Sequence, residues 1–96
     1  MSLSEDQKRQ LRKIGHTLKP TVMIGNNGLT DSVCNEIEHT IDHHELIKIK
    51  VNAGDREDRD KIINTLCDRT SAQLIQRIGH IALIFRRNDK NPKIHI

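Results

Sequence analysis

The spacing of apolar residues changes period along this chain, and the order of those changes restricts the fold more than any other feature. Leu11, Ile14 and Leu18 recur at helical spacing behind Ser4, which opens a capping-box pattern completed by Gln7. A first helix is therefore predicted to run to about Leu18, with Pro20 closing it. Thr21–Ile24 is a short apolar strand, broken by Gly25-Asn26-Asn27-Gly28. A second helix follows from the N-cap Thr30, with Asp31 at the positive end of its dipole and Leu29 set to staple against Cys34. Val33, Ile37 and Ile41 supply its buried stripe. The stretch 45–51 then alternates, with Ile47, Ile49 and Val51 on one face and Leu46, Lys48 and Lys50 on the other. That is a strand with a partly solvated, basic face. Asn52-Ala53-Gly54 turns the chain, and Asp55 caps a third helix that buries Ile62, Ile63, Leu66 and Cys67. Residues 73–78 and 80–87 read as a hairpin around Gly79, and 88–96, with Pro92, as an irregular or frayed tail. The order αβαβαββ predicts an α/β, two-layer sandwich: a four-stranded mixed sheet with its helices mainly on one side. At 96 residues, without repeats or a linker, the chain is a single domain over 1–96.

Composition narrows the function. One Phe and no Tyr or Trp argue against recognition by rows of stacking aromatics. Cys34 and Cys67 fall at periodic helical positions without a CxxC, which predicts small buried hydrophobes in a reducing compartment rather than a zinc site or disulfide framework. The polar start of the chain lacks the apolar core of a signal peptide, and no run reaches membrane-spanning length, so a cytoplasmic protein without a membrane partner is expected. The net charge of +3 is modest but unevenly spread. Lys8, Arg9, Arg12, Lys13 and Lys19 crowd the first segment, and Arg77, Arg86, Arg87, Lys90 and Lys93 the last. Residues 29–47 carry five acids and no Lys or Arg. Such asymmetry points to one basic face directed at a polyanion.

The segment with chemical content is Ile24-Gly25-Asn26-Asn27-Gly28-Leu29-Thr30, a GxxG loop running into a capped helix. Two glycines permit positive φ and remove the Cβ atoms that would hold a bulky ligand away. Backbone N–H groups beside a helix N-terminus suit phosphate oxygens, and Asn26 and Asn27 add further donors. An ordinary tight turn would use the same residues, and no GK[ST] or dinucleotide fingerprint follows. His39 and His43 are spaced i, i+4, but nothing is placed to complete a metal site. The charged run 55–60 reads as a solvated helix start with pairs such as Arg56–Asp60 available. No nucleophile motif occurs, and no cofactor is implied.

Taken together, the landmarks closely resemble the CRM family (chloroplast RNA splicing and ribosome maturation), specifically its bacterial stand-alone YhbY-type members. They are Leu18-Lys19-Pro20, the run 24–30, Glu36-Ile37-Glu38, His43-His44-Glu45-Leu46-Ile47-Lys48-Ile49-Lys50-Val51, Asp55-Arg56-Glu57 and Ile78-Gly79-His80, within residues 3–87. The resemblance implies a non-catalytic RNA-binding domain with a fold similar to the C-terminal domain of bacterial translation initiation factor three. The GxxG loop would work as in KH domains, though between a strand and a helix. Bacterial members associate with precursors of the large ribosomal subunit, which makes ribosomal RNA the expected partner, ribosomal proteins further contacts, and the protein itself a monomer. His80 stands where lysine is common in the family, so that position is no fixed cation at neutral pH. The expected RNA-contacting residues are Gly25, Asn26, Asn27 and Gly28 with Lys8, Arg9, Arg12, Lys13, Lys19, Lys48, Lys50, Arg86 and Arg87. The competing expectation is a protein–protein adaptor on ribosomal particles, whose acidic second helix (Glu36, Glu38, Asp42) docks a basic protein while RNA contact is incidental.

Overall fold

The computed structural model describes residues 3–96, in the order α1 (Glu5–Gly15), β1 (Pro20–Ile24), α2 (Asp31–His44), β2 (Leu46–Val51), α3 (Arg56–Thr70), β3 (Gln73–Ile78) and β4 (Ile81–Phe85). Each helix begins where a side chain can accept the otherwise unmet N–H of its first turn. Ser4 accepts from Gln7, Thr30 from Val33 and Asp55 from Asp58, the first and last as reciprocal capping boxes. α1 stops at Gly15 rather than Leu18, because the last residues tighten into a turn with Leu18 N–H donating to Gly15 O at 3.0 Å.

The sheet order is β1-β2-β4-β3, with β1 parallel to β2 and the other pairs antiparallel. Both of its faces bear a core. On the first, Ile47, Ile49 and Val51 of β2 pack with Ala82 and Ile84 beneath Ile37 and Ile41 of α2 and Ile63 and Leu66 of α3. Two of the three helices thus share one side, as expected, but α1 adds a layer on the other, so the architecture is not strictly two-layered. On the second face α1 lays Leu11 over Leu46, Ile75, Leu83 and Phe85. Gly15 permits this approach, since a Cβ there would meet the Leu83 side chain at 2.5 Å. The α1 cover explains why Leu46, expected on a half-solvated face, is buried along with Ile47. It ends partway across: Met23 remains 58% and Ile78 66% exposed.

Residues 88–96 form no regular element, yet they are tied down. Arg87 donates to Ile94 O at 2.8 Å, and Ile94 and Ile96 pack against the second core. Among the described residues no helix is long and apolar enough to cross a membrane.

Candidate nucleic-acid interface

β1 ends at Ile24 and delivers the chain into Gly25–Gly28 at the rim of the sheet, immediately before the cap of α2. The turn closes with Gly28 N–H donating to Gly25 O at 2.9 Å. Within the loop only Gly28 has positive φ, at 70°. Gly25 does not, and a Cβ built on it meets nothing within 4 Å. The positive φ that both glycines permit is therefore used by one of them. For Gly25, neither backbone strain nor crowding inside the protein accounts for the missing side chain. Next to it the N–H groups of Asn26 and Asn27 have no acceptor among the described residues, and Gly25, Asn26 and Asn27 are exposed. Open donors, no Cβ and the positive end of a 14-residue helix together favour an oxyanion that approaches the backbone closely.

Asn26, Asn27 and Gly28 also line a shallow depression with Gly54 and Lys61 of α3. Lys61 is exposed and unpaired among the described residues, a cation beside the loop that sequence reasoning overlooked. Asp55 marks the start of α3 in the sequence, but no local signal places that helix beside a loop that lies before α2 in the chain. Two carboxylates lie nearby as well. Asp58 accepts the Asp55 N–H at 3.3 Å, and Asp31 pairs with Arg69 at 3.4 Å.

The expected cations separate into two populations. Arg12, Lys13, Lys19, Lys48 and Lys50 make no ion pair among the described residues, whereas Lys8 and Arg9 face Glu5 and Asp6 at 3.7 and 2.8 Å on the exposed start of α1. Such exposed pairs hold little energy and open readily. Lys19 and Lys48 share a groove with Lys93 and with His39, His43 and His44 from the end of α2. Lys48 shares a second depression with His16.

Arg86 and Arg87 are differently placed. Arg86 donates to Glu38 at 2.8 Å and to Thr70 O at 2.9 Å, with Asp42 at 3.6 Å. Glu38 and Asp42, two of the three acids in the adaptor reading, are thereby occupied internally. Arg87 reaches Glu45 at 3.1 Å and lies over the Phe85 ring. Glu45 is the hub of this end, fully buried at 0% exposure. Its carboxylate accepts from the backbone N–H groups of Asn88 at 2.6 Å, Lys93 at 2.5 Å and Ile94 at 2.7 Å. Burial, the largest single influence, pushes its pKa up, but the donors at Asn88, Ile94 and Lys93 together with Arg87 outweigh it and leave the carboxyl below its ordinary 4.5. Glu45 also carries φ 63°, a conformation that costs a non-glycine residue about 1–3 kcal/mol and persists where surrounding bonds fix it.

The remaining polar clusters have structural partners. Asp60 pairs with Arg77 of β3 at 2.8 Å rather than with Arg56. His43 Nδ1 lies 2.8 Å from His39 O, and no group of three potential metal ligands occurs among the described residues. Burial and the neighbouring Asp68 push the Cys67 thiol up to about 11, so it stays protonated and unreactive at neutral pH. Cys34 is buried.

Known proteins resemble this chain along nearly its whole length. The model of the CRS1 / YhbY (CRM) domain matches residues 3–86. The probable RNA-binding protein PA4753 of Pseudomonas aeruginosa is 42% identical over 97% of this chain and 89% of its own length. An RNA-binding protein of Haemophilus influenzae is 46% identical over 93% of this chain and 90% of its own. The solution structure of the hypothetical protein SAV1595 from Staphylococcus aureus superposes with a TM-score of 0.84 at 32% identity, covering 99% of both chains.

Proposed function

The chain belongs to the CRS1/YhbY (CRM) domain family, and on that premise we propose that it is an RNA-binding protein, not an enzyme, that engages structured ribosomal RNA in precursors of the large subunit. Gly25 carries the reading. The fold gives it neither positive φ nor a crowding neighbour, so its missing side chain answers to something outside the protein. A phosphate seated on the Asn26 and Asn27 N–H groups, at the start of α2, is that something. Relatives named for RNA binding at 42% and 46% identity supply the partner's class.

The mechanism has two parts. Lys19, Lys48 and Lys50, with Arg12 and Lys13 on α1, attract the RNA backbone over distance, and the loop then clamps one phosphate at close range. Arg86 and Arg87 hold the domain together and contribute to the field rather than to contact. A backbone-reading loop with almost no aromatic surface selects for RNA shape more than for sequence.

Three measurements test this. Affinity for a ribosomal RNA fragment should fall steeply with salt, with a log–log slope of about −3.5 to −4.5 if about five phosphates are neutralised. A flat response removes the electrostatic part. In sedimented cell extract the protein should travel with large-subunit precursors, and crosslinks from Gly25–Gly28 should map to their ribosomal RNA. Exclusive association with small subunits or free messenger RNA contradicts the assembly assignment.

A further inference from the structure

The half of the second sheet face that α1 leaves bare has a definite composition. Strand register places Met23, Lys50, Ile81 and Ile78 in one row across all four strands. At about 4.8 Å between strands the row is ~14 Å wide. Behind it lies Lys48-Leu83-Gln76, and His16 from the end of α1 closes the rear of the depression. Isolated exposed apolar side chains need no explanation, but here Met23 and Ile78 are 58% and 66% exposed in a single row with a lysine between them. No strand of the sheet contains Asp or Glu.

We propose that this surface is a second RNA subsite, which seats unpaired bases on Met23, Ile81 and Ile78 while Lys48 and Lys50 take the adjoining phosphates. It rests on the RNA-binding reading above and names which part of the RNA comes next to the clamped phosphate. The occupant follows from the pattern. A single nucleotide offers an apolar ring and an anion a few ångströms apart, which matches lysines set among apolar side chains on one face. Gln76 provides both a donor and an acceptor for a base edge. A duplex hides its ring faces by stacking, so the segment must be unpaired.

Position supports the same occupant. On this face the row is the last before the loop end of the sheet, where Asn52 N–H donates to Ile24 O at 2.8 Å and Val51 N–H to His80 O at 2.7 Å. Met23 stands two residues before Gly25, and Asn52 Nδ2 lies 3.8 Å from its Sδ. A strand clamped at Gly25–Gly28 reaches the row without crossing any covered surface.

The test uses the double variant Met23→Ser/Ile78→Ser, both positions being exposed and outside either core. Its affinity is measured against salt for a hairpin RNA with an unpaired flank, and for the same RNA with abasic sites in the flank. With intact RNA the variant should bind about tenfold more weakly at every salt concentration, with an unchanged slope, because apolar contact adds no counterion release. With abasic RNA variant and wild type should bind alike. Unchanged affinity for intact RNA overturns the subsite, and so does an equal loss with abasic RNA. Gly25→Asp measured in parallel separates the failures: if it binds poorly while the double variant binds normally, the subsite alone is wrong. If neither variant binds less than wild type, or wild type does not bind, the RNA reading falls with it.

Discussion

The two ends of the sheet carry polar clusters that look alike in sequence and are opposite in state. At the end where β2 begins, Glu45 is buried, three backbone N–H groups and Arg87 converge on it, and Arg86 is held by Glu38, Asp42 and Thr70. At the end where β1 and β2 finish, Asn26 and Asn27 expose backbone donors with no acceptor among the described residues, and Lys50 and Lys61 have no carboxylate partner there. The Glu45 cluster has consumed its hydrogen-bonding capacity in folding, and the loop has kept its own. Charge in a sequence therefore measures binding capacity only after internal partners are subtracted.

Removing the hub should give the largest effect. Glu45→Ala strips the acceptor from three backbone donors and leaves Arg87 unpaired, which should destabilise by about 3–5 kcal/mol. At about 4–8 °C per kcal/mol for a domain of this size, the melting temperature should drop by ~12 °C or more. RNA affinity measured well below that temperature should stay near wild type. An unchanged melting temperature would break the comparison at its closed end.

The same group sets the acid limit of stability. Its folded pKa lies below the ordinary 4.5, so its ionisation stabilises the native state at neutral pH. That contribution is complete above the unfolded value and is lost as pH falls through the folded one. Denaturation midpoints of wild type and Glu45→Gln should therefore converge as pH falls from neutral through 4.5 and below. A constant gap would mean that the carboxylate's charge is not what stabilises this end.

The arginines and lysines should then separate by readout. Arg86→Gln should cost about 1–3 kcal/mol in denaturant unfolding and leave the salt slope of RNA binding unaltered. Lys48→Gln/Lys50→Gln should change stability by about 0.5 kcal/mol or less. The same pair should flatten the slope by about 1.4–1.8, two phosphates' worth. If Arg86→Gln flattened the slope and the lysine pair did not, the two ends would have exchanged roles.

Much of the fold was legible because its signals are local. Ser4, Thr30 and Asp55 marked helix starts through hydrogen bonds spanning three residues, and the alternation of Ile47, Ile49 and Val51 fixed which face of β2 meets α2 and α3. What escaped was long-range. Arg86 and Arg87 looked like a basic strand end because Glu38 and Glu45 lie 48 and 42 residues away. Leu46 looked half-solvated because the helix covering it comes from the far N-terminus. The GxxG loop was visible as a motif, but sequence gives both glycines the same letter. Only the backbone distinguishes Gly28, which the turn requires, from Gly25, which it does not.

That distinction provides the sharpest test. Substitution at Gly28 confounds lost contact with strain at positive φ, whereas Gly25 has space around it and an unstrained backbone. Gly25→Ala and Gly25→Asp should both melt within a few degrees of wild type. Their affinities for a ribosomal RNA fragment at fixed salt are the measurement. A phosphate clamp predicts a clear loss for Ala, which adds one methyl at the point of close approach, and at least tenfold more for Asp, which sets a carboxylate against the phosphate. If both folded variants bind as tightly as wild type, the loop is a structural turn and no phosphate sits there.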